Sequence, residues 1–125
     1  SLYKLYPFSL RLGGSGVFPS PAKARVLWLG VNMGAEQTEM IAERINSGLT
    51  SQGFPQEKRK FHPHLTLGRI RYPEPVDTIK KFLEDQEHFQ TVSTEIVRIT
   101  LYQSTLTGRG AIYKALHYSQ LKEGK

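Results

Sequence analysis

The sequence predicts an α+β domain on three observations: five segments of strand period, two amphipathic helical stripes, and a closing pair of strands that a turn returns antiparallel. From Tyr6 to Leu12, Phe8, Leu10 and Leu12 alternate with Ser9 and Arg11, the period of a half-buried strand. Gly13-Gly14-Ser15-Gly16 is expected to break that strand, and Val17-Phe18 followed by Pro19-Ser20-Pro21 to form a loop to the next one. The glycines read as a turn needing positive φ angles. No helix start follows them, so a dinucleotide or phosphate loop is discarded. Arg25-Val26-Leu27-Trp28-Leu29-Gly30-Val31 is apolar on both faces, which predicts a central strand covered from two sides.

Met33, Ile41, Ile45 and Leu49, with Ala42 alongside, recur at helical spacing, so a packing helix is expected from about Ala35 to Gln52, closed by Gly53 at a left-handed C′ position. Gln56-Glu57-Lys58-Arg59-Lys60 is a charged approach, read as a solvated loop with a phosphate-contacting patch as its rival. The third strand runs through Phe61 to Arg71, and Tyr72-Pro73-Glu74-Pro75 stops it. Pro75 suits a helix start, and Val76, Ile79, Phe82 and Leu83 stripe a second packing helix to about Asp85. Beyond the polar stretch from Gln86 to Thr94, Val97, Ile99 and Leu101 alternate with Arg98, Thr100 and Tyr102. Gln103 to Gly110 reads as a hairpin loop returning into a last strand from Ala111 to Tyr118.

The 125 residues, 38% of them hydrophobic, suit one ordinary domain or part of one. With no cysteine there is no disulfide, thiolate metal site or cysteine nucleophile. No apolar run approaches the ~20 residues of a membrane span, and Ser1-Leu2-Tyr3-Lys4 lacks the character of a signal peptide, so a soluble, cytoplasmic protein with no membrane partner is expected. A net charge of +6 favours polyanions such as RNA, with a basic protein free of any nucleic-acid role as the alternative.

The chemistry concentrates in Phe61-His62-Pro63-His64-Leu65-Thr66-Leu67-Gly68-Arg69, where two imidazoles, a hydroxyl and a guanidinium fall together. On an extended strand His62, His64 and Thr66 share one face, while Leu65 and Leu67 form an apolar back face. Ordinary strand histidines satisfied by their neighbours are the plain alternative. A metal reading rests on His62-Pro63-His64, but no carboxylate or third histidine is near in sequence, and His88 and His117 would have to arrive from elsewhere. No metal and no cofactor is expected.

His64-Leu65-Thr66-Leu67 has the His-x-Thr-x form of the two-histidine phosphoesterase superfamily. Its flanks resemble the RNA 2′,3′-cyclic phosphodiesterase branch, also called the 2′-5′ RNA ligase family. Gly13 to Pro19, Arg25 to Val31, Phe61 to Arg69 and Leu101-Tyr102-Gln103-Ser104-Thr105-Leu106-Thr107 are all similar to that family, in its order.

The resemblance implies a two-lobed fold of antiparallel sheets with flanking helices, each lobe giving one His-x-Thr-x strand to a shared groove. There a terminal 2′,3′-cyclic phosphate is opened to a 2′-phosphate, with reversible 2′-5′ ligation. One histidine would be the general base and the other the general acid, a task suited to imidazole with its unperturbed pKa of ~6.5. By the same resemblance His64 is the catalytic acid–base residue, Thr66 donates to the phosphate, and Arg69 offsets its charge. Simple alternation puts Arg69 on the Leu65 and Leu67 face, away from His64; a bulge or a sharp twist at Gly68 is the expected remedy. His62 and Phe18 are candidate RNA contacts, the alternative for each being packing.

The family's first His-x-Thr-x should precede Tyr6, and no such motif stands there in this chain. The expectation is therefore a single domain, residues 1–125, equivalent to the C-terminal two-thirds of an N-terminally truncated two-histidine fold. His117-Tyr118-Ser119-Gln120, of His-x-Ser-x form, is the nearest stand-in for the missing motif. The partner expected is RNA with a 2′,3′-cyclic phosphate end, tRNA-like ends included. Self-association through exposed sheet edges is expected too. A non-catalytic RNA-end-binding module is the rival from another class.

Overall fold

A computed structural model describes residues 5–122. Two antiparallel sheets and two helices make up the fold, the α+β class expected. The larger sheet holds β1 (Phe8–Phe18), β2 (Val26–Met33), β3 (His64–Arg69) and the short β4 (Thr94–Ile96) in the order β3-β2-β1-β4. The smaller is a hairpin of β5 (Arg98–Thr107) and β6 (Gly110–Gln120). Helix α1 (Ala35–Ser51) joins β2 to β3, and α2 (Val76–Asp85) follows β3. No helix is long and apolar enough to cross a membrane among the described residues.

β1 corrects the expectation of a strand ending before the glycines. It runs on through Gly13 to Phe18; one register shift, between Leu12 and Ser15, falls at Gly13-Gly14, and another, between Arg11 and Leu12, leaves Asn32 of β2 as the extra residue. A glycine tract can bulge as readily as it can turn, and bulging lets β1 pair with β4 at its start and with β2 along its length. β2 is central, as its composition demanded, but its two faces differ. Leu27 packs against the cluster of Val17, Ala24 and Ile79, with Ile70 and Leu83 alongside. Trp28, on the other face, belongs to neither hydrophobic cluster.

α1 begins at Ala35 as predicted, and Gly53 beyond its end takes φ 95°, the left-handed value that a glycine adopts without strain. Its Ile41 is buried with Leu5 and Leu121, against Phe8, Ile96 and Ile99, the cluster that ties the hairpin to the larger sheet. Lower on the stripe, Ile45 and Leu49 are exposed and line, with Ala42 and Phe61, an open cavity of about 560 Å³. α2 buries Ile79 as its stripe required.

The hairpin is longer than its sequence suggested. Its turn is only Gly108-Arg109, and the polar run from Gln103 to Thr107 is strand, registered Gln103↔Lys114 through Thr107↔Gly110. Thr107 Oγ1 secures the turn, donating to the Gly110 carbonyl at 2.7 Å and accepting from the Arg109 N–H at 3.2 Å. Leu101, Tyr102, Leu106, Ile112 and Tyr113 remain exposed on this two-stranded sheet.

Candidate active site

Among the described residues β3 is an edge strand, hydrogen-bonded to β2 alone. Register places His64 opposite Gly30 and Thr66 opposite Trp28, so both side chains rise from one face of the sheet. The back face differs from the expectation: Leu65 and Leu67, expected to sit on a core, are 48% and 50% exposed. Alternation set the facing correctly, but coverage of an edge strand depends on what packs beyond it.

Between the pairs Trp28↔Thr66 and Leu27↔Gly68 the register slips by one, leaving Leu67 unpaired. This is a β-bulge, one residue ahead of the glycine where it was sought. Arg69 is thereby returned opposite Val26, a residue that alternation on β2 puts on the Trp28 face. Its neighbour Ile70 packs toward Ile79 on the opposite face, as that facing requires. The slip removes the conflict between plain alternation and a phosphate role for Arg69. Arg69 also borders the open cleft beside α2, with Arg71, Tyr72 and Thr78. No ion pair or side-chain hydrogen bond holds its guanidinium among the described residues.

His62 was expected on the strand and is instead in the loop before it, since β3 begins at His64. Pro63, buried between them, cannot donate to a ladder, and the chain becomes regular only beyond it. The loop nonetheless delivers the ring to the same place, 5.8 Å from the His64 ring. The His62 carbonyl lies 2.7 Å from His64 Nδ1. A carbonyl only accepts, so Nδ1 carries the proton and Nε2 is the nitrogen free for chemistry. Thr66 is exposed, and its hydroxyl has no protein partner among the described residues.

Four rings form a wall beside these groups. Phe18 stands 5.2 Å from His64 and 5.7 Å from His62, edge-on to both. Trp28 stands 5.0 Å from Phe18, 4.9 Å from His62 and 6.1 Å from His64. Edge-to-face pairs of this kind contribute about 0.5–1.5 kcal/mol each beyond burial. The sequence predicts only that the strand of Trp28 is covered from two sides; the pairing with β1 and β3 reveals the place of the indole here.

His117 is not brought to this site: on β6 it pairs with Leu101, and among the described residues the only imidazole in contact with that of His64 is His62. No three His, Cys, Asp or Glu side chains gather into a metal-binding group among the described residues. What the open face of β3 presents is an imidazole with one nitrogen free and a hydroxyl, with Arg69 brought to that side by its register with Val26 and bordering the cleft beside α2 as well. That combination is an acid–base group beside two donors for anionic oxygens.

Known proteins are similar to this chain in sequence and in fold. An RNA 2′,3′-cyclic phosphodiesterase of Aeropyrum pernix is 41% identical over 110 residues, covering 88% of this chain and 62% of that relative. One from Thermotoga maritima is 36% identical over 117 residues, covering 94% of this chain and 60% of the relative. The chain thus spans about three-fifths of the length of the curated relatives it matches. A crystal structure from Thermus thermophilus superposes with a TM-score of 0.74 at 24% identity, over 97% of this chain and 64% of that one. A phosphoesterase structure gives a TM-score of 0.66 at 25% identity, over 95% of this chain and 62% of that one. The sequence profile of the 2'-5' RNA ligase superfamily matches residues 2–108, a span that includes β1 to β3 and the whole histidine stretch, and the chain belongs to that superfamily.

Proposed function

We propose that this chain carries the β3 half of an RNA 2′,3′-cyclic phosphodiesterase site and acts on RNA ends bearing a cyclic phosphate. The observation that carries the reading is His64, with Nδ1–H tied to the His62 carbonyl, sharing an open face with Thr66 and the bulge-returned Arg69. Water attacks phosphorus, the bond to O3′ breaks, and the end is left as a 2′-phosphate with a free 3′-hydroxyl. One proton leaves the attacking water and one reaches O3′. Nε2 of His64 makes one of these two transfers; in the family resemblance the first His-x-Thr-x makes the other. The Thr66 hydroxyl donates to a non-bridging oxygen, and the Arg69 guanidinium neutralises charge gathering on the phosphorane-like transition state. A 5′-hydroxyl replacing water would give a 2′-5′ linkage by the same transfers. The net charge of +6 supports RNA as the class of substrate, and Phe18 and His62 offer ring faces to an unpaired base.

The rival reading, an RNA-end-binding module, is favoured by the one His-x-Thr-x strand, β3, among the described residues. An oligoribonucleotide ending in a 2′,3′-cyclic phosphate separates the two when incubated with the purified chain. The proposal expects binding and release of a 2′-phosphate end. Binding without opening establishes the module, and a 3′-phosphate product or no binding at all would overturn both.

A further inference from the structure

We infer that Trp28 is the positioning residue of this site: seated on Gly16, its indole holds His62, and through the His62 carbonyl fixes the tautomer of His64. The inference rests on the proposed acid–base role of His64. That imidazole has one hydrogen bond, to the backbone of a loop residue outside any strand ladder. The chain before His62 is tied to α1 by hydrogen bonds between Asn46 and Glu57, and Pro63 after it is buried. At His62 itself the ring is held by packing, and the shortest ring-to-ring approach in the wall is that of His62 on Trp28, 4.9 Å with the planes 69° apart.

Trp28 in turn has a made seat. Gly16 pairs with it across β1 and β2, and a Cβ at that position would run into Cζ2, Cη2 and Cε2 of the indole. The missing side chain lets the ring lie against the β1 backbone, with Phe18 two residues on bracing it at 5.0 Å. No polar contact orients it, since Trp28 Nε1 is shut off from solvent without a hydrogen-bond partner. Nor does it fill a hydrophobic core, as both buried clusters form without it. Its ring contacts are Phe18 and the two histidines. A residue seated by shape on Gly16, whose ring contacts among the described residues are the site's own, acts on the site through them. His64 would otherwise divide its population between Nδ1–H and Nε2–H forms, and only the first leaves Nε2 able to take a proton.

The test reads the tautomer directly, by ring 15N shifts of His64 in Trp28→Leu, Trp28→Phe and Gly16→Ala, each checked for native amide dispersion. Trp28→Leu removes the wall, Trp28→Phe keeps an aromatic ring, and Gly16→Ala keeps the indole but displaces it. The Nδ1–H form is expected to dominate in the parent, to be lost in Trp28→Leu and Gly16→Ala, and to be largely kept in Trp28→Phe. Turnover should fall about tenfold or more in the first two with KM little changed, since misplacement costs the chemical step. Should Trp28→Leu fail to fold, Gly16→Ala decides alone. A folded Gly16→Ala or Trp28→Leu with the parent tautomer population overturns the inference. If His64→Ala keeps full turnover while the tautomer still depends on Trp28, the acid–base reading of His64 falls and the positioning stands.

Discussion

Replacing His64 by alanine is expected to lower the opening of 2′,3′-cyclic phosphate ends by about 10²–10⁴-fold, the range that one positioned acid–base group supplies. Binding of the same oligonucleotide should stay within a few-fold of the parent, because Thr66 and Arg69 keep their contacts to the phosphate. The imidazole is exposed and its one hydrogen bond is to a loop carbonyl, so truncation should cost the fold little. An unchanged urea midpoint would show that the loss is chemical. Initial rates on a cyclic-phosphate-ended RNA, measured with binding on the same samples, separate a lost proton transfer from a lost site.

Arg69→Ala is expected to cut turnover by about 10²–10³-fold, comparable to removal of one donor from a preorganised anion hole. Arg69→Lys should recover only part of this, since an ammonium restores the charge but not the planar fork. The prediction depends on the bulge at Leu67, which returns residue 69 to the histidine face. Steady-state kinetics of the two variants check it. Were Arg69→Ala to turn over like the parent, the guanidinium would have to serve the cleft beside α2 instead.

The two helices were legible because each carries a stripe long enough to have a period, and the residues of those stripes that lie over the sheet, Ile41 and Ile79, are the ones buried. β4 was not, because three residues are too few to show alternation, and it exists only through its pairing with the start of β1. At Gly13 to Gly16 the expected positive φ is present, 73° at Gly14, but inside a strand rather than at its end, for a related reason. Local chemistry says only that the chain can bend there, and the partner strand decides whether the bend is a turn or a bulge. In the site, alternation alone was enough to bring His64 and Thr66 to one face. It brought His62 to the right place by the wrong route, because Pro63 delays the strand. Arg69 and Trp28 needed register with β2 and β1, which is long-range information. The exposure of Leu65 and Leu67 depends on what lies beyond an edge, and no local period encodes that.

On the proposed reading the cyclic phosphate sits on the face of β3 that carries His64, Thr66 and, by register, Arg69. Titrating a 2′,3′-cyclic mononucleotide into isotopically labelled protein tests it without requiring turnover. The account predicts saturable shifts at the His64 ring nitrogens and the Thr66 and Arg69 amides, with smaller ring-current changes at Phe18 and Trp28. Saturable shifts confined to the cavity beside Ile45, Leu49 and Phe61, with the His64 ring unmoved, would contradict it.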